Sequence, residues 1–135
     1  MNLLFICKYN RLRSKIAEAY FKKLNKNKNI KVKSAGLIKG SPINPETIKI
    51  VKKRGISIKG QPHGISSKLL VWQNMMVIVA DNVPSSLFNN KRFGKPIVVW
   101  RIKDAFRENE TEENPVITKI MQKVEKLVKK LENSK

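Results

Sequence analysis

The sequence predicts an α/β fold: a parallel sheet covered by helices on both faces. Three observations predict it. Apolar runs without polar alternation occur at 2–6, 75–80 and 96–100, as strands buried on both faces require. Stretches with apolar residues at helical spacing fall between and after them, at 14–24, 46–54 and 116–131. The two kinds alternate along the chain, and alternation implies parallel strands joined by crossover helices.

Residues 2–6, N-L-L-F-I, read as the first strand. From Ser14 the pattern turns helical: Ile16, Ala17, Ala19, Tyr20, Phe21 and Leu24 share one side, with Lys15, Glu18, Lys22 and Lys23 on the other. Ser14 is the expected cap, and N-K-N-K-N at 25–29 ends the helix. Ile30, Val32 and Ser34 alternate with lysines, as in a strand with one wetter face. Residues 35–42 read as loop, because Pro42 and Pro45 exclude a long strand. A helix over 46–54 turns Ile48, Ile50 and Val51 inward and stops at Gly55. Residues 56–65 are loop and 66–71 a short helix. M-M-V-I-V-A at 75–80 is the most strand-like run; 81–84 is loop, and Pro84 opens a short helix through Leu87. P-I-V-V-W at 96–100 is the last strand. Residues 101–115 read as an exposed acidic loop, and the stripe from Val116 to Leu131 as the final helix. No repeat, linker or composition break divides the chain, so one domain over 1–135 is expected.

Composition narrows the function classes. Cys7 is the lone cysteine, which excludes an internal disulfide framework. With His63 the lone histidine, no cysteine- or histidine-based metal site is expected. No apolar run reaches bilayer length, and M-N-L-L-F-I is too short for a secretory signal. A cytoplasmic protein with no membrane partner is therefore expected. The formal charge is +19 and uneven: residues 1–67 carry 16 basic and 2 acidic side chains, residues 68–135 carry 13 and 8. Such a chain attracts anions and binds polyanions non-specifically. With no zinc-finger spacing and no aromatic RNA-binding box, a solvated lysine-rich surface is preferred over a nucleic-acid function.

The chemistry concentrates in C-K-Y-N-R-L-R-S, residues 7–14. Cys7 closes the first strand, and ligands of parallel α/β sheets bind beyond the carboxyl ends of strands. The backbone N–H groups of residues 8–13 and the start of the following helix form a cradle for an oxyanion such as phosphate. The same field, with Arg13 beside it, favours the thiolate. A thiolate under such a cradle is placed to attack phosphorus and form a cysteinyl-phosphate. Arg13 offers paired donors to the equatorial oxygens. Ser14 can donate to the sulfur, and an acid must protonate the leaving group. The scheme needs no cofactor. The competing reading is a small core cysteine.

The segment C7-K-Y-N10-R-L-R13-S14 resembles the phosphate-binding loop of the low-molecular-weight protein tyrosine phosphatases, whose pattern is C-x-x-N-x-x-R-S. S-K-I-A-E-A-Y-F at 14–21, Ser34-Ala35-Gly36, Gly55-Ile56, His63 and Asp104 also fall in family order. The resemblance implies a three-layer sandwich with a four-stranded parallel sheet in order 2-1-3-4. It implies a phosphatase of phosphotyrosine or aryl phosphate, with Cys7 as nucleophile, Arg13 as phosphate clamp and Asp104 as acid and then base. It places Lys8, Tyr9, Asn10, Arg11, Leu12, Arg13 and Ser14 in the phosphate loop, gives Asn10, Ser14 and His63 supporting roles, and sets Tyr9 and Phe106 at the substrate pocket.

The departures from the pattern are specific. Tyr9 stands where glycine is usual, and is strained if that position needs positive φ. Leu12 replaces a second cysteine. Lys8 and Arg11 add charge at the rim, which suits acidic peptides or is plain surface. Ala105 follows Asp104 in place of proline, so the acid loop loses rigidity. These departures leave open a catalytically weak or inactive phosphate-binding module. Arsenate reductases share the fold and loop but need further cysteines, which this chain lacks.

Overall fold

The computed structural model describes residues 1–58, 61–88 and 95–132. Its strands are β1 (Asn2–Cys7), β2 (Lys31–Gly36), β3 (Met75–Val79) and β4 (Ile97–Trp100). They form one sheet in the order β2-β1-β3-β4, and every pairing is parallel. β1 is central, with Leu3, Leu4, Phe5 and Ile6 fully buried. Successive strand side chains point to opposite faces, so a strand covered on both faces has no use for a polar alternate.

The helices are α1 (Arg13–Leu24), α2 (Pro45–Lys53), α3 (Ser67–Trp72) and α4 (Glu110–Glu132). On one face of the sheet, Leu3, Phe5 and Val77 pack with Phe21 of α1, Val51 of α2 and Ile117 of α4. On the other, Leu4, Ile6, Met76 and Ile78 pack with Leu69 and Leu70 of α3. This is the three-layer α/β sandwich, with the 2-1-3-4 order, that the sequence implied. Between α1 and α4, Tyr20 Oη–H donates to Glu125 Oε2 at 2.6 Å. That hydrogen bond, with burial behind it, pushes the phenol's pKa up to about 12.

Several elements differ from the sequence reading. Ser14 does not cap α1: the helix starts at Arg13, and the cap position is Leu12, which makes no side-chain cap bond. β2 extends to Gly36, because Ser34, Ala35 and Gly36 stay in register with Phe5, Ile6 and Cys7. After Pro84 there is only a 3₁₀ turn, Ser85–Leu87. The largest correction concerns the acidic segment. α4 begins at Glu110, well before its apolar stripe. Asn109 Oδ1 accepts from the Glu112 N–H at 2.9 Å, and carboxylates in the first turn suit the helix dipole. Pro115 lies inside α4 and forfeits one backbone bond. Glu113, read as part of an exposed loop, is buried. Residues 59–60, inside the loop expected at 56–65, lie outside the described residues. Among the described residues no helix is long and apolar enough to cross a membrane.

Candidate active site

β1 ends at Cys7, and the chain turns through residues 8–12 into α1. The turn needs one left-handed residue. Asn10 supplies it, with φ 58°, and is the only non-glycine residue with positive φ among those described. Asparagine tolerates that backbone better than most side chains. Tyr9 is outside the left-handed region, so its replacement of glycine brings no strain of that kind.

Asn10 is 0% exposed, and its amide is used from every side. Oδ1 accepts from the His63 backbone N–H at 2.9 Å. Nδ2 donates to Ser14 Oγ at 2.7 Å and to Ser34 Oγ at 3.0 Å. Ser34 Oγ–H in turn donates to Glu18 Oε1 at 2.5 Å. A satisfied buried network of this kind holds one geometry. His63 contributes through its backbone; its side chain is exposed.

Cys7 is 2% exposed. Its Sγ lies 2.9 Å from Ser14 Oγ and accepts from the Asn10 N–H at 3.3 Å. Ser14 Oγ already accepts from Asn10, so its own proton is free to point at the sulfur. Two donors thus point at the sulfur. The uncapped start of α1 has the same sense: its first N–H groups remain available to a ligand, at the positive end of the helix.

Gly36 explains how close the loop sits to the sheet. A Cβ there would lie 2.5 Å from the Ile38 carbonyl oxygen, 2.6 Å from Tyr9 C and 2.8 Å from Asn10 N. All three are backbone atoms, so the loop itself would have to move. Gly36→Ala is therefore expected to lower stability by about 1–3 kcal/mol, the usual cost of overpacking. Denaturant unfolding checks this, and a wild-type midpoint would contradict it.

Arg13 is 1% exposed. Nη1–H donates to the Ile102 carbonyl at 2.9 Å and Nη2–H to Asn82 Oδ1 at 3.0 Å. Asp81 Oδ1 lies 3.7 Å from Nη1, and Asp104 Oδ2 lies 3.5 Å from Nη2. A guanidinium has five N–H donors, so the anchors fix its plane and leave others for a bound oxyanion. Asp81 and Asn82 lie just past β3, after Ala80, and Ile102 and Asp104 just past β4. The carboxyl ends of three adjacent strands thus build one site.

Cys7, Tyr9, Leu12 and Arg13 line a cavity of about 80 Å³, together with Ile43 and Thr47. The rest of the lining is Arg11, Ala105 and three acids, Asp104, Glu108 and Glu113. Asp104 Oδ1 accepts from the Ala105 N–H at 3.0 Å, a donor that proline would not have. The residue that departs from the family pattern thus holds the carboxylate by a hydrogen bond. Glu108 pairs with Arg11 at 2.5 Å and accepts from Asn44 Nδ2 at 2.9 Å. Arg11 also donates to the carbonyls of Ser41 and Pro42, so this cation closes the rim. Glu113 is 1% exposed. Burial raises its pKa, and the charges of Glu108 and Asp104 add to the rise against opposing effects of Thr47 and Arg11.

The structure brings Cys7, Tyr9, Arg11, Leu12, Arg13 and Asp104 to one cavity and places Asn10 and Ser14 behind the sulfur. It does not bring Phe106 there: that ring is 85% exposed and stands outside the lining. Lys8 sits with its Nζ 5.4 Å from the Tyr9 ring centroid. Sequence reasoning missed Asp81, Asn82, Thr47, Glu108 and Glu113. For Asp81 and Asn82 a signal existed, since polar residues just past a buried parallel strand sit where ligands bind. For Glu113 there was none, because it lies among other acids.

A sulfur held by donors beneath an oxyanion cradle, at the carboxyl end of a central parallel strand, defines the class of cysteine-based phosphatases and arsenate reductases. The chain belongs to the low molecular weight phosphotyrosine protein phosphatase family, whose model matches residues 2–135. No curated protein matches the chain. Among solved structures, a protein tyrosine phosphatase from Entamoeba histolytica is similar at 23% identity, with TM-score 0.84, over 100% of this chain and 97% of that one. An arginine phosphatase from Geobacillus stearothermophilus is similar at 17% identity, with TM-score 0.82, over 98% and 93%. An arsenate reductase from Archaeoglobus fulgidus is similar at 25% identity, with TM-score 0.72, over 93% and 98%.

Proposed function

We propose that this chain is a cysteine-dependent phosphomonoester hydrolase acting through a cysteinyl-phosphate. The observation that supports it best is the sulfur of Cys7, 2.9 Å from Ser14 Oγ and accepting from the Asn10 N–H, in the same cavity as Arg13 and Asp104. In the first step the thiolate attacks phosphorus, the S–P bond forms and the P–O bond to the leaving group breaks. Asp104, partly exposed beside Arg13, protonates the departing oxygen. The free N–H groups of Arg13 and the loop hold the equatorial oxygens through the transition state. In the second step Asp104 takes a proton from water, water oxygen attacks phosphorus, and the S–P bond breaks to release phosphate and thiolate. The lone cysteine favours hydrolysis over arsenate reduction, which needs further thiols.

Family membership favours phosphotyrosine or another aryl phosphate as the substrate, and Tyr9, at the cavity and partly exposed, offers a ring to stack on. The test is hydrolysis of p-nitrophenyl phosphate and a phosphotyrosine peptide without added metal. Vanadate inhibits both. Asp104→Asn lowers turnover of the phosphotyrosine peptide by about 10²–10⁴-fold, and of p-nitrophenyl phosphate less, because nitrophenolate leaves without a proton. Phosphate binding without turnover in the intact chain would replace the enzyme with a binding module.

A further inference from the structure

A second pocket, of about 480 Å³, opens where α1, β2 and the start of α3 meet. Lys15 and Glu18 of α1 line it, with Lys33 and Ser34 of β2 and, further along the chain, His63, Ser66 and Leu69. None of these residues lines the cavity at Cys7. The two sites are linked from behind, since Ser34 holds the Asn10 amide and Glu18 holds Ser34.

Lys15 is the feature that needs a reason. It is 7% exposed and is the only lysine in the buried class among the described residues. Its ammonium has no hydrogen-bond or ion-pair partner among them, yet it is not sealed in. The only side-chain atoms there that are both sealed and unpartnered belong to Gln73 and Glu113. A covered stem thus carries an ammonium to open space. Glu18 is the one acid of the lining, and both its oxygens are taken, Oε1 by Ser34 and Oε2 by Lys22 at 2.8 Å. Lys15 and Glu18 also border an opening toward Ser57 and Ile58, but the other cation there is the paired Lys22.

The rest of the pocket adds donors. Lys33 holds its Nζ 4.6 Å from the Trp72 ring centroid, a contact that orients an ammonium without cancelling its charge. Ser66 Oγ accepts from the Leu69 N–H at 3.1 Å, so its own proton is free to donate. The exposed His63 ring brings a further N–H. Two ammonium groups without a carboxylate partner match a dianion. They hold phosphate as point charges and need no planar fork. The volume lies in the range of small-molecule sites and exceeds the 80 Å³ at Cys7, so the phosphate arrives on an organic group, with Leu69 as its apolar wall.

We propose that this pocket is a second ligand site, which binds a small organic phosphate through Lys15, Lys33 and Ser66. The thiol lies in the other cavity, so the ligand is held and not turned over. The inference stands apart from the phosphatase reading.

Amide NMR of isotope-labelled Cys7→Ala protein tests it, with glycerol 3-phosphate as the probe and glycerol as the uncharged control. Two groups of amides should shift and saturate: residues 8–13 for the cradle, and Lys33, Ser34, Gly64 and Ser66 for the pocket. Glycerol should move neither. Lys15→Met should weaken the pocket response by about tenfold or more, the worth of a charged hydrogen bond, and Lys33→Gln by less, because that side chain is exposed and screened. Neither should change the affinity read at residues 8–13. The same spectra report folding, and Lys33→Gln, at an exposed position, carries the test if Lys15→Met does not fold. Shifts confined to residues 8–13, a pocket response that does not saturate, or one that tracks residues 8–13 in every variant would overturn the site. A pocket response without one at residues 8–13 would count against the phosphatase reading and leave this inference standing.

Discussion

Cys7→Ser is expected to abolish phosphatase turnover, with kcat/KM on p-nitrophenyl phosphate down by at least about 10⁴-fold, the scale of losing a nucleophile. The reason is chemical. Ser14 Oγ and the Asn10 N–H converge on Cys7 Sγ, and a thiol yields the attacking anion far more readily than an alcohol does. Serine keeps the shape of the site, so the cradle still binds phosphate and the melting temperature stays near wild type. That pairing of intact binding with lost turnover distinguishes a missing nucleophile from a damaged fold. Near-wild-type turnover in pure Cys7→Ser protein would end the cysteine mechanism.

Arg13→Ala is expected to cost both activity and stability. Turnover falls by about 10³-fold or more, because the transition state loses its paired donors. Stability falls by about 2–3 kcal/mol, measured by denaturant unfolding. That figure lies below the usual range for a broken buried pair, since Asp81 and Asp104 are partly exposed and water screens them. Arg13→Lys separates the two losses. An ammonium retains the charge near Asp81 and Asp104, but cannot hold Ile102 O and Asn82 Oδ1 while presenting a planar fork to phosphate. Most of the stability should return and most of the turnover should not. Full activity in Arg13→Lys would show that charge alone suffices.

The sheet was legible in the sequence because its strands are buried on both faces. Leu3 to Ile6 and Met76 to Val79 read as unbroken apolar runs, and no competing periodicity hides them. The loop was legible for a different reason: Cys7, Asn10, Arg13 and Ser14 stand close together at a recognisable spacing, and Cys7, Asn10 and Ser14 bond to one another within the loop. What escaped was tertiary. Ser14 read as a cap because a serine before an amphipathic run usually is one; here its hydroxyl serves the sulfur instead. The start of α4 escaped because Glu110 to Asn114 carry no apolar stripe, and their helix is set by the Asn109 cap. Asn82 and Thr47 act only on partners distant in sequence, Arg13 and Glu113. Glu113 looked like its neighbours, and only packing against Thr47 and the cavity distinguishes it.

The reaction is expected to pass through phosphorus bound to one sulfur. Wild-type protein mixed with p-nitrophenyl phosphate, acid-quenched within a turnover and digested, should yield the peptide containing Cys7 heavier by one phosphoryl group, and Arg13→Lys protein much less of it. A quenched enzyme that turns over substrate yet carries no phosphoryl group on that peptide, or carries it on another residue, would contradict the mechanism.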